Sequence, residues 1–199
     1  MIGSGAAGIS AALEAARLGR KVVLVDSLPQ LGGQAVNSII GTFCGLYSNG
    51  LDCYQTVHGI ADGILRDLGA LPGALHFRRT PHTTVVMYDE VALSRWIEDA
   101  VRKAGITVLL GAVMREVRIN GRRIERLEIA TRYGDVSLGA RGFVDASGDA
   151  ALAWLAGLPC REAADGPIYG TQMVVLEHVE EAHHPAREEM TQRLAAKGL

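Results

Sequence analysis

The sequence predicts an α/β fold with a parallel sheet, an inserted antiparallel β-meander and an incomplete element at each end. Three observations predict it. A glycine-rich turn, Gly3-Ser4-Gly5-Ala6-Ala7-Gly8, opens a helix that leads into the apolar run Val22–Val25. Strand-like and helix-like stretches then alternate as far as Leu110, the pattern of parallel β–α–β units. Finally, Asn120-Gly121 marks a tight hairpin between two stretches of alternating polarity.

The front of the chain organises the rest. Gly3 permits a tight turn, Gly5 lets a backbone approach a pyrophosphate, and Gly8 lets the helix lie close to its sheet. The amides opening the helix, with the positive end of its dipole, suit phosphate charge. Small residues at Ala11, Ala12, Ala15 and Ala16 suit a helix pressed on strands, and Gly19 stands where a helix-ending glycine belongs. Val22–Val25 has the continuous apolar character of a strand covered on both faces. Asp26 closes it, in the position to accept hydrogen bonds from a ribose. These are the parts of a Rossmann-like dinucleotide-binding unit. Only Met1 and Ile2 precede Gly3, where a buried strand is expected, so the chain reads as a fragment, a mis-set start or a cropped chain.

Gly32-Gly33-Gln34 follows as a second close-approach turn, with a plain loop as the alternative. Residues 35–52 mix apolar side chains with glycines and read as a pocket-lining or a buried irregular connection. Val57, Ile60, Ala61, Ile64, Leu65 and Leu68 recur at helical spacing, which predicts a helix over Tyr54–Leu68 ended by Gly69. Residues 70–83 read as loop and Thr84–Tyr88 as a short strand. Asp89 caps a helix with the apolar face Leu93, Ile97, Ala100, Val101 and Ala104, stopped by Gly105. Ile106–Leu110 is expected as a buried strand.

The meander comprises Val113–Ile119, Arg122–Thr131 and Val136–Leu138, its arginines forming a solvated face. Gly142–Ala146 is expected as a buried strand running into Ser147-Gly148-Asp149, and Ala150–Ala156 as a short helix. Thr171–Leu176 looks like a strand and Glu180–Lys197 like a polar helix. Residues 1–165 therefore make the nucleotide-binding domain, and 166–199 begin a second, substrate-handling one.

Composition bounds the function. The 199 residues are 48% hydrophobic and 21% charged, ample for a core, and the net charge of −2 does not favour a nucleic-acid partner. No apolar run has the length of a membrane span. Cys44, Cys53 and Cys160 are odd in number and far apart, which fits a reducing, cytoplasmic setting. Cys44 lies in the 35–52 segment read as pocket-lining, but a small buried hydrophobe is its simpler role. The histidines have no partners at metal-ligand spacing, so no metal is expected.

The order of Gly3–Gly8, Asp26, Gly32-Gly33-Gln34, Tyr88-Asp89-Glu90-Val91-Ala92-Leu93 and Val144-Asp145-Ala146-Ser147-Gly148-Asp149 resembles that of FAD-dependent oxidoreductases. These are flavoproteins of the glutathione-reductase and fumarate-reductase groups, including a heterodisulfide-reductase-like branch. The resemblance covers roughly residues 1–176. It implies FAD as cofactor, with the pyrophosphate at Gly3, Gly5, Ala6 and Gly8 and the adenosine ribose at Asp26. It also implies that Gly33 and Gln34 lie along the pyrophosphate and ribityl side, that Val113 meets the adenine edge, and that Ser147 and Gly148 close the adenosine side. The family's late strand ending in Gly-Asp is absent. The implied activity moves electrons or hydride between a small-molecule substrate and the flavin, with no catalytic residue assignable. A non-catalytic remnant binding dinucleotide weakly or not at all is the alternative; an NAD(P)-binding module is a third. Self-association as a homo-oligomer is left open.

Overall fold

The computed structural model describes residues 1–80, 82–161 and 187–197. The chain divides into two compact units, Met1–Ala163 and Ala164–Leu199. In the second, the described element is one polar helix, α6 (Arg187–Ala195), laced by an Arg193–Glu189 ion pair of 2.6 Å. The expected strand Thr171–Leu176 lies outside the described residues.

In the first unit the glycine turn opens α1 (Ala6–Arg17), which leads to β1 (Val23–Val25). Gly19, at φ +72°, ends α1 by donating to the Ala16 carbonyl while Arg20 donates to Ala15, so the last turn's carbonyls are satisfied. The short helix α2 (Gln34–Asn37), the strand β2 (Thr42–Phe43), the helix α3 (Ile60–Gly69) and the strands β3 (Leu75–Arg79) and β4 (Thr84–Tyr88) follow. Next come the helix α4 (Glu90–Lys103), the strand β5 (Thr107–Leu109), the meander strands β6 (Val113–Asn120), β7 (Arg123–Thr131) and β8 (Gly134–Gly139), and the helix α5 (Ala151–Leu155).

β1 and β5 pair in parallel, Val23 opposite Thr107 and Val25 opposite Leu109. Ile2 extends this row, bridging in parallel to Val25 on one side and to Asp145 on the other. Its amide donates to the Val144 carbonyl at 2.9 Å, and its carbonyl accepts from Ala146 at 2.8 Å. Met1 and Ile2 thus stand in the row between β1 and residues 144–146. A cleft of about 900 Å³ opens beside Met1, walled by Val22 and Val23, by Gly142–Val144, and by Leu127 and Leu138 of the meander.

The core forms where α1 and α4 cover this row and α3 packs on α4 and β3. Ile9, Ala12, Leu24, Leu68, Leu93, Ile97 and Val101 make one apolar cluster; Ile2, Val25, Ala112, Leu127, Ile129 and Leu152 make a second beneath the meander. The α4 spacing Leu93, Ile97, Val101 puts three side chains on one face, each contributing about 1.5–3 kcal/mol when buried.

Several expectations are corrected. β4 belongs to an antiparallel sheet of order β2-β4-β3, not to the parallel row. β3 lies within the stretch expected as loop: Leu75 to Arg79 pair in register with Tyr88 to Thr84, and their polar side chains reflect an exposed edge. The helix expected from Tyr54 begins at Ile60, because residues 54–56 pair back to 46–48 and Gly59, at φ +81°, turns the chain. The Asp62 carboxylate then accepts the Gly59 amide at 2.8 Å and closes the first turn. Gly142–Ala146 is an extended segment with one bridge, and Val144 is 39% exposed rather than buried.

The meander is antiparallel, as expected, with Arg115, Arg118, Arg123 and Arg126 exposed. Its first turn sits one residue later than the Asn-Gly signal suggests. Asn120 pairs with Arg123, leaving Gly121 and Arg122 as the loop, and Gly121 takes φ +61°. Glycine first in a two-residue loop is the type II′ arrangement, which matches the twist of its strands.

Candidate functional site

Of the residues predicted to bind a ligand, Gly3, Gly5, Gly8, Gly33 and Ser147 meet at the amino end of α1. Gly3, at φ +95°, packs so closely on the late segment that an added Cβ would lie 2.2 Å from the Ala146 carbonyl oxygen and 2.9 Å from Ser147 Cα. Gly8 is tighter still: its Cβ would meet the Gly3 carbonyl oxygen at 1.8 Å and Ala146 Cβ at 3.3 Å. The front loop and the Asp145–Gly148 turn are therefore one packed unit, although more than a hundred residues of sequence separate them.

The second glycine pair completes it. A Cβ on Gly33 would fall 2.6 Å from Gly5 Cα, and the Gly32 amide donates to the Ser4 carbonyl at 2.9 Å. Glycine at position 33 is thus demanded by the approach of two loops, reinforced by φ +54°. Gly33 also starts α2, whose first residue, Gln34, is exposed.

Gly5 differs from its neighbours. It is the N-cap of α1 at an ordinary φ of −71°, no side chain caps the helix, and no acidic residue stands in its first turn. A Cβ there would approach only Gly33 Cα, at 3.9 Å. The exposed residues Ala6 and Ala7 follow, so the positive end of the helix faces open space that a side chain would otherwise fill. This cradle suits an anion such as a pyrophosphate.

Asp26 is buried at the end of β1, and its carboxylate is turned to the loop. Oδ2 accepts from the Ser4 amide at 2.5 Å and the Ser4 hydroxyl at 2.6 Å, while Oδ1 accepts from the Leu28 amide at 2.8 Å. The Asp26 carbonyl accepts the Ala112 amide at 2.9 Å, which brings the start of β6 beside it. There Val113 is 53% exposed.

At the late turn, Asp145 Oδ1 accepts from the Ser147 hydroxyl at 2.6 Å and Oδ2 from the Ala153 amide at 2.9 Å. Burial raises the Asp145 pKa, but these donors, with the Ser147 and Leu152 amides, outweigh it and hold the carboxyl below its usual range. The Ser147 hydroxyl also accepts the Ala151 amide at 2.8 Å, tying the turn to α5, and Gly148 takes φ +88°.

Two participants carried no assigned role in the sequence. Ser4, fully buried, joins Asp26 to the second glycine turn. Tyr88 packs its ring 4.2 Å from that of Phe43 and donates its hydroxyl to the Ala35 carbonyl at 2.9 Å, anchoring α2. Burial, then the Glu90 carboxylate, push its phenol pKa up. A serine inside a glycine motif and a strand-ending tyrosine are common, so neither carried a signal of its own.

Residues 1–198 match the family described as FAD dependent oxidoreductase. The chain belongs to that family. The cofactor of the FAD dependent oxidoreductases is FAD, and the uncapped helix end beside the open Gly5 position fits its anionic pyrophosphate. No curated relative matches the chain in sequence. Solved structures share the fold. THI4 from Thermovibrio ammonificans aligns with a TM-score of 0.53 at 21% identity, over 79% of this chain and 62% of that one. A triple mutant of the flavin-dependent brominase Bmp2 gives 0.56 at 17% identity, over 79% and 40%. PqsL from P. aeruginosa, in complex with 2-aminobenzoylacetate, gives 0.54 at 15%, over 80% and 46%. This member of the family thus spans less than two thirds of each of these chains.

Other candidates lie apart from the cradle. Cys44, expected as a small buried hydrophobe, is exposed, because the 35–52 segment runs over the surface with Ile39 56% and Leu51 89% exposed. His58, expected inside a helix, precedes α3, and its Nδ1 lies 3.2 Å from Asp62. Among the described residues, no group of three or more His, Cys, Asp or Glu is placed to hold a metal, and no helix is long and apolar enough to cross a membrane.

Proposed function

We propose that this chain is the FAD-binding portion of a flavin-dependent oxidoreductase that moves electrons or hydride between a small-molecule substrate and the flavin. One observation carries the reading: three glycine-bearing turns, Gly3–Gly8, Gly32–Gly33 and Ser147–Gly148, pack around a single uncapped helix N-terminus. In this reading the amides at Gly5 and Ala6 hold the pyrophosphate, and Gly3 and Gly8 supply the close packing that aims them. Gly33 and Gln34 line the path towards the ribityl chain, while Val113, Ser147 and Gly148 border the adenosine. When bound, the isoalloxazine supplies the redox chemistry, and the chain's own residues orient it.

The NAD(P) alternative is disfavoured by the packing of the late Asp145–Gly148 turn on Gly3, which ties the meander's far end into the same cradle. The test is the visible absorption spectrum of the purified protein, followed by thermal shift with FAD and with NAD. A flavin spectrum, or stabilisation by FAD and not by NAD, is the expected result, because a ligand stabilises the fold it binds. A colourless protein unaffected by added FAD overturns the proposal and favours the non-catalytic remnant.

A further inference from the structure

We infer that Tyr88 is a positioning residue for the flavin half of the dinucleotide, acting through α2 on the Gly33–Gln34 turn; this rests on the FAD reading of the site. Tyr88 is the last residue of β4, only 6% exposed, and it grips residues 35–41 at both ends. Its hydroxyl donates to the Ala35 carbonyl at 2.9 Å, and its amide donates to the Gly41 carbonyl at 3.0 Å. The Phe43 ring, its centroid 4.2 Å away, holds the phenol in that direction. Burial, then the Glu90 carboxylate, raise the phenol pKa, so the hydroxyl keeps the proton it donates.

The segment so gripped cannot hold itself. α2 has four residues, no side-chain cap and no buried residue, far short of a helix that stands alone. Ala35 and Val36 lean on the main apolar cluster, and Tyr88 fixes where along it they sit. α2 in turn fixes the second glycine turn. Val36 packs on Gly32, where an added Cβ would lie 2.2 Å from Val36 Cγ2, and Asn37 donates its amide and its Nδ2 to the Gly33 carbonyl at 2.9 and 2.8 Å. In the FAD reading, Gly33 and Gln34 line the path towards the ribityl chain. The Gly3–Gly8 loop takes its support elsewhere, from Ala146 and Ser147, so the two halves of the cradle are positioned by different residues. Without the Tyr88 hydroxyl, α2 has to be ordered as the flavin binds, and affinity falls by that cost.

The experiment titrates FAD and ADP into the flavin-free wild-type chain and into Tyr88→Phe by calorimetry; ADP carries the adenosine and pyrophosphate but no ribityl chain or flavin. The expected result is that Tyr88→Phe weakens FAD by roughly fivefold to tenfold, the scale of one lost hydrogen bond, and leaves ADP within about twofold. Amide hydrogen exchange at Asn37 and Ser38, which donate to Gly33 and Gln34, should accelerate in the variant, while Ile9, which donates to Gly5, keeps its protection. Equal losses for the two ligands, or none for either, would mark a merely structural tyrosine and overturn the inference. If Tyr88→Phe fails to fold, Phe43→Leu decides: it keeps the hydroxyl and loosens its seat, and the absence of a loss confined to FAD overturns the inference. If wild type does not bind FAD, the FAD reading falls. Where either ligand is not bound, exchange judges the grip by itself, and unchanged Asn37 and Ser38 protection in Tyr88→Phe overturns it.

Discussion

At Gly8 there is no room for a methyl group, and at Gly5, three residues earlier, there is. The added Cβ would sit 1.8 Å from a backbone oxygen at the first position, against 3.9 Å from its nearest neighbour at the second. Gly8→Ala should therefore cost at least about 2 kcal/mol, as expected of overpacking against backbone, visible in urea denaturation. Gly5→Ala should leave the unfolding midpoint nearly unchanged, since its φ of −71° is open to any residue, yet weaken FAD binding by filling the cradle. Equal stability losses in the two variants would contradict this division of roles. Asp145 gives a prediction in pH. Its folded carboxyl lies below the usual value, so the carboxylate stabilises the fold at pH above the unfolded value, about 3.9, and that contribution disappears as pH falls through the folded value. Asp145→Asn should be less stable than wild type near neutrality and show a flatter loss of stability below about pH 4.

Among the elements, α4 shows how a single cap supports a core face. Asp89 Oδ1 accepts the Ala92 amide at 2.7 Å, and the helix it starts carries Leu93, Ile97 and Val101 into the main apolar cluster. Asp89→Ala should cost about 1 kcal/mol, measured by chemical denaturation. Asp89→Ser should recover most of it, because a serine hydroxyl also accepts at an N-cap. The cap, the apolar spacing and the Gly105 stop of this helix are all local, which is why the sequence shows it almost to the residue. β3 is the opposite case. Leu75–Arg79 has no periodic signal, and it is a strand because β4 offers a free edge beside it.

For the first unit as a whole, the cleft beside Met1 matters most. Burial pulls the Met1 amine below its usual pKa, and it donates to the Val23 carbonyl at 2.9 Å. Val25 donates to Met1 and Ile2 donates to Val144, so by the alternation of parallel ladders Val23 and Val144 turn their amides into the cleft. An extended segment of four or five apolar residues joined ahead of Met1 should therefore raise the Tm by several degrees and improve flavin retention. A polar segment of the same length should do neither. Differential scanning fluorimetry of the two extended chains checks this, and equal midpoints would count against the cleft as a seat for a strand.

Sequence alone determined those parts whose physics is local: the glycine turn opening α1 and the glycine ending it, the cap of α4, the apolar faces of both helices, the β1 run and the meander to within a residue at its turn. It also determined the family, since the order of its glycine and acidic elements survives in the linear chain. Tertiary structure decided what depends on approach across long separations. Gly33 must be glycine because Gly5 faces it, Gly3 because Ala146 and Ser147 lie on it, and Asp26 spends its carboxylate on Ser4 because β1 ends beneath the loop. In the 35–59 region the apolar residues follow no single period, so pairing and solvent exposure there are set by neighbours and not by its own pattern. Periodicity and capping act within a few residues and can be read in order. Steric exclusion between distant backbones, and the choice of partner for a buried carboxylate, exist only once the chain has folded.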